Sequence, residues 1–378
     1  MDFDFTDDQR LLKDSVDRLI ADKYGFEQRK KYMAEADGWS RELWAQYAEL
    51  GLLGVSFSEA HGGFGGGPVE SMIVAEAFGR GLVLEPYFAT VVVGGGLIQA
   101  AGSDAQQAVM LPEIAAGSRL VAFAQVERSS RYNLADVQLT ATKSGDGWVL
   151  NGEKSVVLHG DCADTLLVSA RTAGGRHDRS GIGLFVVDAK AAGVTRQGYR
   201  TQDGMRAAEI AFANVVALDV LGDPAGALPA IEQVVDQAIA VLCAEAVGLM
   251  SEMHSITVDY MKQRKQFGVP ISQFQVLQHR AVDMFVALEQ SRSMALFGTV
   301  MSADANAKAR SRAVSATKVQ IGRAGKLVGE EAVQLHGGIA MTMEYKVGHY
   351  FKRMTMIEQL FGNTDTHLAK VSDAGSLF

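Results

Sequence analysis

Apolar residues recur at helical spacing along the first third of the chain. "QRLLKDSVDRLIADKY" (9–24) follows Thr6 as an N-cap, with Asp7 and Asp8 in its first turn, and predicts a helix. "SRELWAQYAELG" repeats the logic, with Ser40 as cap, Glu42 behind it and Gly51 as stop. Helical pattern returns at 68–80 and 87–101. Then the texture changes. "LVAFAQV", "GWVLNGEKSVVLH", "DTLLVSAR", "GIGLFVVD", "VTRQGYR" and "AEIAFANV" read as short strands, parted by turn signals at Gly145-Asp146-Gly147 and Asn151-Gly152. No helical segment separates them, so parallel βαβ units are not expected. From 227 on the pattern is helical again, with four long segments at 227–263, 272–301, 304–335 and 343–361. The expected fold class is α+β: an N-terminal helical domain (1–117), a middle antiparallel β-barrel or sandwich (118–226) and a C-terminal four-helix bundle (227–378).

Composition narrows the function. The chain is 48% hydrophobic and long enough, at 378 residues, for large cores. Its formal charge of −8, with no Lys/Arg run, argues against nucleic acid, since neutralising phosphates needs a basic surface. The acidic opening "MDFDFTDDQRLL" lacks the apolar stretch of a signal peptide, and no uninterrupted apolar run is long enough to span a bilayer. Cys162 and Cys243 lie far apart without metal-ligand spacing and read as thiols in a reducing, cytoplasmic setting.

Candidate chemistry is sparse outside the last third. "HGGFGGGP" (61–68) has neither a preceding strand nor a GK[ST], so it reads as a mobile loop joining two helices and not as a phosphate loop. His159, His336, His349 and His367 form no metal-ligand pattern, and no nucleophile elbow is present. "RKQFGVPISQFQVLQHR" (264–280) is more specific. Gly268 and Pro270 break a helix after Arg264, Ser272 caps the next, and Phe267 stands between, a combination suited to a diphosphate and a flat ring. "EEAVQLHGGIAMTMEY" (330–345) ends another helix with Gly337-Gly338, which allows close backbone approach to a ligand.

In "RKQFGVPISQFQ" and "QLHGGIAMTMEY", together with "LLGVSFSEAHGGFGG" and "GWVLNGEKSVV", the chain resembles the acyl-CoA dehydrogenase family over essentially its whole length. Within the family it is similar to the short subunits of two-component enzymes of the pimeloyl-CoA dehydrogenase small-subunit type. The resemblance implies FAD-dependent α,β-dehydrogenation of an acyl-CoA, electrons passing to an electron-transfer flavoprotein, and a dimer or tetramer with a larger homologous chain or with itself. By the same resemblance, Arg264 meets the FAD diphosphate, Phe267, Phe274 and Gln275 surround its adenosine half, and Gln334, Gly337 and Gly338 approach it from a neighbouring subunit. Asp236 matches an acidic residue near the CoA arm, and Ala238 marks the acyl pocket.

The chain also departs from the family. Where most members carry Tyr-Glu-Gly-Thr, with Glu as base, Leu360-Phe361-Gly362-Asn363 stands here, and Phe361 takes no proton. The alternative base position is Ala238, followed by Ile239. In the flavin-contact motif "VERSSRYN" (126–133) only Glu127 survives; the hydroxyl residue is Val126, and Trp-x-Thr has become Val156-Val157-Leu158. One carboxylate remains conspicuous. Glu245 stands alone in "VLCAEAVGLM" (241–250), about 10 Å along the helix from Ala238 and roughly on its face, with Val241 and Gly248. Two roles stand: a relocated catalytic base in a pocket that small Ala238 and Gly248 leave roomy, or an ion pair with Arg280 or Arg292. Three functions follow in turn: a dehydrogenase subunit with a larger partner acting on a dicarboxylic, branched or ring-bearing acyl-CoA, a scaffold completing the partner's sites, or a stand-alone homotetramer.

Overall fold

The structure is a computed structural model that describes residues 5–375; Met1–Asp4, the head of the acidic opening, and Ser376–Phe378 lie outside the described residues. The helices are α1 Asp7–Lys23, α2 Phe26–Ala34, α3 Arg41–Glu49, α4 Pro68–Gly81, α5 Gly96–Ala101 and α6 Asp104–Ala115, then α7 Leu228–Gln263, α8 Gln275–Met301, α9 Ala307–His336, α10 Lys346–Gln359 and α11 Thr364–Asp373. Between α6 and α7 run β1 Val121–Ala124, β2 Thr140–Ser144, β3 Gly147–Leu158, β4 Thr165–Arg171, β5 Ile182–Asp188, β6 Val194–Arg200, β7 Arg206–Val216 and β8 Asp219–Leu221; β9 Lys265–Gln266 and β10 Val269–Pro270 make a small hairpin after α7. The order is helices, sheet, helices, as the pattern predicts.

Packing groups these elements by space and not by sequence. One compact unit holds the described residues up to Lys31, Pro68–Val83 and the chain from Ile239 on; the other holds Tyr32–Gly67 and Leu84–Ala238. Helices of the N-terminal zone are thus divided between both.

The predicted caps form. Thr6 and Gln9 close a reciprocal capping box on α1, and the Ser40 hydroxyl accepts from the Leu43 N–H on α3. The stretch 87–101, expected as one helix, opens with a π-helical run, Phe88–Gly95, before α5. The 61–68 loop, expected to be mobile, is tied back by backbone hydrogen bonds. The Gly63, Gly65 and Gly66 N–H groups donate to the carbonyls of Ser58, Phe57 and Val55, and a Cβ on Gly63 would lie 2.2 Å from the Phe57 oxygen.

The eight strands form one sheet in the order β6-β7-β3-β2-β4-β5-β8, with β1 beside β4. Its pairs are antiparallel except β1 with β4 and the single Thr140–Arg171 pairing of β2 with β4. Leu150, Leu166, Val168, Phe185, Val187, Ile210 and Phe212 fill its core. The Gly145-Asp146 turn joins β2 to β3, but Asn151-Gly152 is no turn: it lies inside β3, where a Cβ on Gly152 would meet Leu139 at 2.9 Å. β2 and β8 escape the sequence pattern because both are short and largely exposed.

α7 to α10 match the four long segments, and α11 adds a fifth helix. By length and composition α7 could cross a membrane, although Asp236, Glu245 and Glu252 interrupt its apolar run, and 78% of its apolar window is buried inside the protein. Such a helix is a core helix. Ser272 does not cap α8. It sits in a short 3-10 turn, and the N-cap residue is Phe274, which offers no side-chain acceptor.

Candidate active site

Glu245 lies where α4 and α7 cross at backbone contact. A Cβ on Gly79 would stand 2.1 Å from the Glu245 carbonyl oxygen, and one on Gly248 would stand 2.0 Å from that of Glu76. Only glycine permits this approach. The space expected beside Gly248 is therefore filled by α4. Val241, on the same stripe, packs against Met72, Ala75 and Ala244. Ala238 has no exposed surface, and Asp236, two residues before it on α7, is also buried.

The Glu245 carboxylate is bound at both oxygens by one guanidinium. Arg353 of α10 donates through Nε to Oε1 at 2.6 Å and through Nη2 to Oε2 at 2.9 Å. The side chains of Arg353 and Glu245 are 7% and 13% exposed. This fork geometry is the strong, charge-assisted form of the pair. Each carboxylate oxygen therefore already accepts one N–H, and Glu245 is one half of a buried ion pair. The partner is not one of the two expected from the neighbouring helix: Arg280 pairs with Glu331 at 2.9 Å and Arg292 with Glu76 at 2.8 Å. α8 turns those arginines toward α9 and α4, while α10, 108 residues on in sequence, supplies the cation.

Around this pair lies a buried network that the sequence reading missed. Lys318 of α9 is wholly buried and donates its Nζ to the carbonyls of Ile357 and Leu360, the free end of α10. Burial holds its proton affinity below the ordinary lysine value. Glu358 accepts the Thr364 N–H at 2.7 Å at the start of α11. These groups fix the Leu360–Asn363 turn. In it Phe361 has φ of 57° and Gly362 of 121°, and a Cβ on Gly362 would lie 2.7 Å from His367 Nε2. His367 Nδ1 shares a hydrogen bond with Ser315 Oγ at 3.0 Å, and burial pushes the ring down to about 3, so it is neutral. The turn that carries the base in the resembled family is built rigidly here, around a phenylalanine. Lys318 could have been found as Glu245 was, as a lone charge in a small and apolar run, "VSATKVQIG".

The expected cofactor residues of the last helices gather at one end of their unit. His336, at the end of α9, stacks between Tyr260 near the end of α7 (4.4 Å between ring centroids) and Tyr345 (5.1 Å). The Arg280–Glu331 pair ties the first turns of α8 to the last turns of α9. This end therefore carries Arg264 just past α7, Gln275 at the start of α8, and Gln334, Gly337 and Gly338 at the end of α9. Phe267 tips the β9–β10 hairpin with φ of 55°, is 91% exposed, and meets Phe274 edge-on at 6.1 Å. Arg264, Gln275 and Gln334 are exposed, and among the described residues Arg264 has no acidic partner. Nothing lies within 4 Å of a Cβ on Gly337 or Gly338, so packing leaves both free for a ligand's approach. An unpaired guanidinium, uncapped N–H groups on α8, an exposed aromatic and an open glycine face fit the diphosphate–adenosine half of FAD.

The β-unit answers differently. Glu127 is a structural ion: it accepts the N–H groups of Gln138 and Leu139 and the Nζ of buried Lys154 at 2.8 Å. Val126, Val156 and Leu158 offer no side-chain donor where the resemblance places flavin contacts, and Val156 takes φ of 50° at a register break in β3.

Comparison with known proteins agrees with this architecture. The chain matches the acyl-CoA dehydrogenase N-terminal domain over residues 6–118, the middle domain over 122–215 and the C-terminal domain over 228–375. It is 27% identical over 365 residues to the probable acyl-CoA dehydrogenase YngJ of Bacillus subtilis, covering 95% of each chain. Among solved structures, a variant of the Tcur3481-Tcur3483 steroid ACAD is 29% identical with a TM-score of 0.87, covering 97% of both chains. A chain of the ChsE4-ChsE5 complex from Mycobacterium tuberculosis, at 23% identity, has the same fold with a TM-score of 0.88, covering 99% of this chain and 98% of that one. The chain belongs to the acyl-CoA dehydrogenase family, the FAD-dependent oxidoreductases that act on the CH–CH donor of an acyl-CoA.

Proposed function

We propose that this chain is the smaller subunit of a heteromeric acyl-CoA dehydrogenase, working with a larger homologous partner that supplies the catalytic base. The observation that carries this reading is the Glu245–Arg353 pair. With Phe361 and Ala238 at the two familiar base positions, Glu245 was the remaining candidate carboxylate, and both its oxygens are engaged. When FAD is bound, it accepts the hydride leaving the β-carbon. This chain's part is to hold the cofactor's diphosphate–adenosine half through Arg264, Phe267, Phe274, Gln275, Gln334, Gly337 and Gly338.

The exposed apolar side chains of α8, Val276, Val282, Phe285, Val286 and Phe297, support a macromolecular neighbour along this helix. The name Tcur3481-Tcur3483 joins two designations and describes a steroid enzyme, which favours a heteromer and a ring-bearing acyl-CoA over dicarboxylic or branched ones. Electrons then pass to an electron-transfer flavoprotein. Free Cys162 and Cys243 suit a reducing cytoplasm.

The test is to purify the chain alone and with its larger partner. The expected result is turnover of a ring-bearing acyl-CoA only in the complex. Bleaching of a yellow, isolated chain by acyl-CoA would show autonomous catalysis and defeat the proposal.

A further inference from the structure

Residues of α1, α2, α4, α7 and α10 line a cavity of about 300 Å³, and none of the residues assigned above to FAD is among them. Its floor is buried. Arg29 of α2 is 1% exposed, and Tyr24, Leu82 and Tyr350 are nearly as covered. Its rim is open to solvent. Arg80 pairs there with Asp17, and Lys346 with Glu252 at 2.7 Å, with 24% to 35% of each side chain exposed. Arg29 donates Nε to the Leu82 carbonyl at 2.7 Å, which anchors the guanidinium at the floor. Leu82 itself holds φ of 55°, a conformation that strains a bulky residue, and such strain gathers at ligand clamps. The charges converge on one ring. Burial, then Glu252, raises the proton affinity of the Tyr350 hydroxyl, while Arg29 and Arg80 oppose them.

We propose that this cavity binds a small monocarboxylate with an apolar body. Charge selects the head group. The wall carries three cations, Arg29, Arg80 and Lys346, against two carboxylates, Asp17 and Glu252, so a single negative charge balances it. A phosphate dianion overshoots that balance and meets both carboxylates. A planar carboxylate also suits a guanidinium fork, and the attraction is stronger at a buried floor than in water. The walls select the body: Tyr24, Phe26 and Tyr350 offer rings, and Ile20 and Leu82 add apolar surface. The volume lies at the small end of ligand pockets, too small for a CoA thioester.

Gly25 provides the test. It lines the cavity, its φ is not positive, and a Cβ there meets nothing within 4 Å, so Gly25→Leu fills the space without strain. Benzoate, titrated calorimetrically onto the full chain, should saturate at one molecule per chain. Its uncharged isostere benzamide should bind roughly 10-fold more weakly, the worth of a charge-assisted contact. Gly25→Leu should melt at the wild-type temperature and lose benzoate binding. Ala21→Trp, at an exposed rim position of α1, should lose it as well, which covers poor folding of the first variant. Absence of saturation overturns the proposal. So does equal affinity for benzamide, or tighter binding of inorganic phosphate at the same ionic strength. Unchanged benzoate affinity in the two variants also overturns it, because the probe then sits elsewhere. None of these readouts involves FAD or turnover, so each stands apart from the subunit reading above.

Discussion

Removing one member of the Glu245–Arg353 pair should destabilise the protein far more than removing both. Each side chain is largely buried, and the pair is bidentate at 2.6 and 2.9 Å. Glu245→Met takes the bidentate carboxylate from the Arg353 guanidinium and leaves the ammonium of buried Lys318 nearby. Breaking such a buried pair costs about 3–5 kcal/mol. Glu245→Met/Arg353→Met removes both charges with side chains of similar length, and such replacements are often neutral or better. The coupling energy from the double-mutant cycle should therefore exceed about 2 kcal/mol. The assay is denaturant unfolding of the wild type, both single variants and the double variant, read by fluorescence and circular dichroism so that unequal unfolding of the two units is detected. Additive effects of the two substitutions would refute the pairing argument. A second readout addresses chemistry: with the larger partner present, Glu245→Gln should retain turnover per folded enzyme. A loss of a hundredfold or more in well-folded protein would restore Glu245 as the base.

Three other outcomes follow from the same geometry. Gly248→Ala places a methyl 2.0 Å from the Glu76 carbonyl, so α4 and α7 must separate; the expected cost is about 1–3 kcal/mol in unfolding free energy, and an unchanged midpoint would show the crossing to be loose. His367 is held at about 3 by burial, against about 6.5 unfolded, so its depressed value favours the fold fully above pH 6.5 and loses that contribution as pH falls toward 3. His367→Asn should flatten this acid limb of the stability–pH curve, which calorimetry across about pH 4–7 would measure. Arg264→Ala should weaken FAD binding by roughly 10- to 100-fold, as expected for losing a charge-assisted contact to phosphate, and isothermal titration checks it.

Much of the chain was legible before any coordinates. Helices and strands are set by periods of about 3.6 and 2 and by local caps, so Thr6, Ser40, Gly51 and the Gly145 turn land where the pattern puts them. The proposed cofactor end could be read from sequence because its residues form two short, contiguous stretches at helix ends. Errors came where one local signal had two meanings. Asn151-Gly152 has turn chemistry, yet Gly152 serves close packing inside a strand, and Ser272 is a good cap that the chain places too early for α8.

What the sequence determined by itself was the periodic order of the elements, the family and the absence of a familiar base, each of which is a property of neighbouring residues. The tertiary structure alone supplied the partner of Glu245. A charge in an apolar run announces that it needs a partner, but not which one, because the partner is chosen by helix crossing and not by sequence distance. Gly79 and Gly248 let α4 press against α7, α8 commits Arg280 and Arg292 elsewhere, and α10 brings Arg353 across 108 residues. Charges find each other through space, and only packing fixes that space.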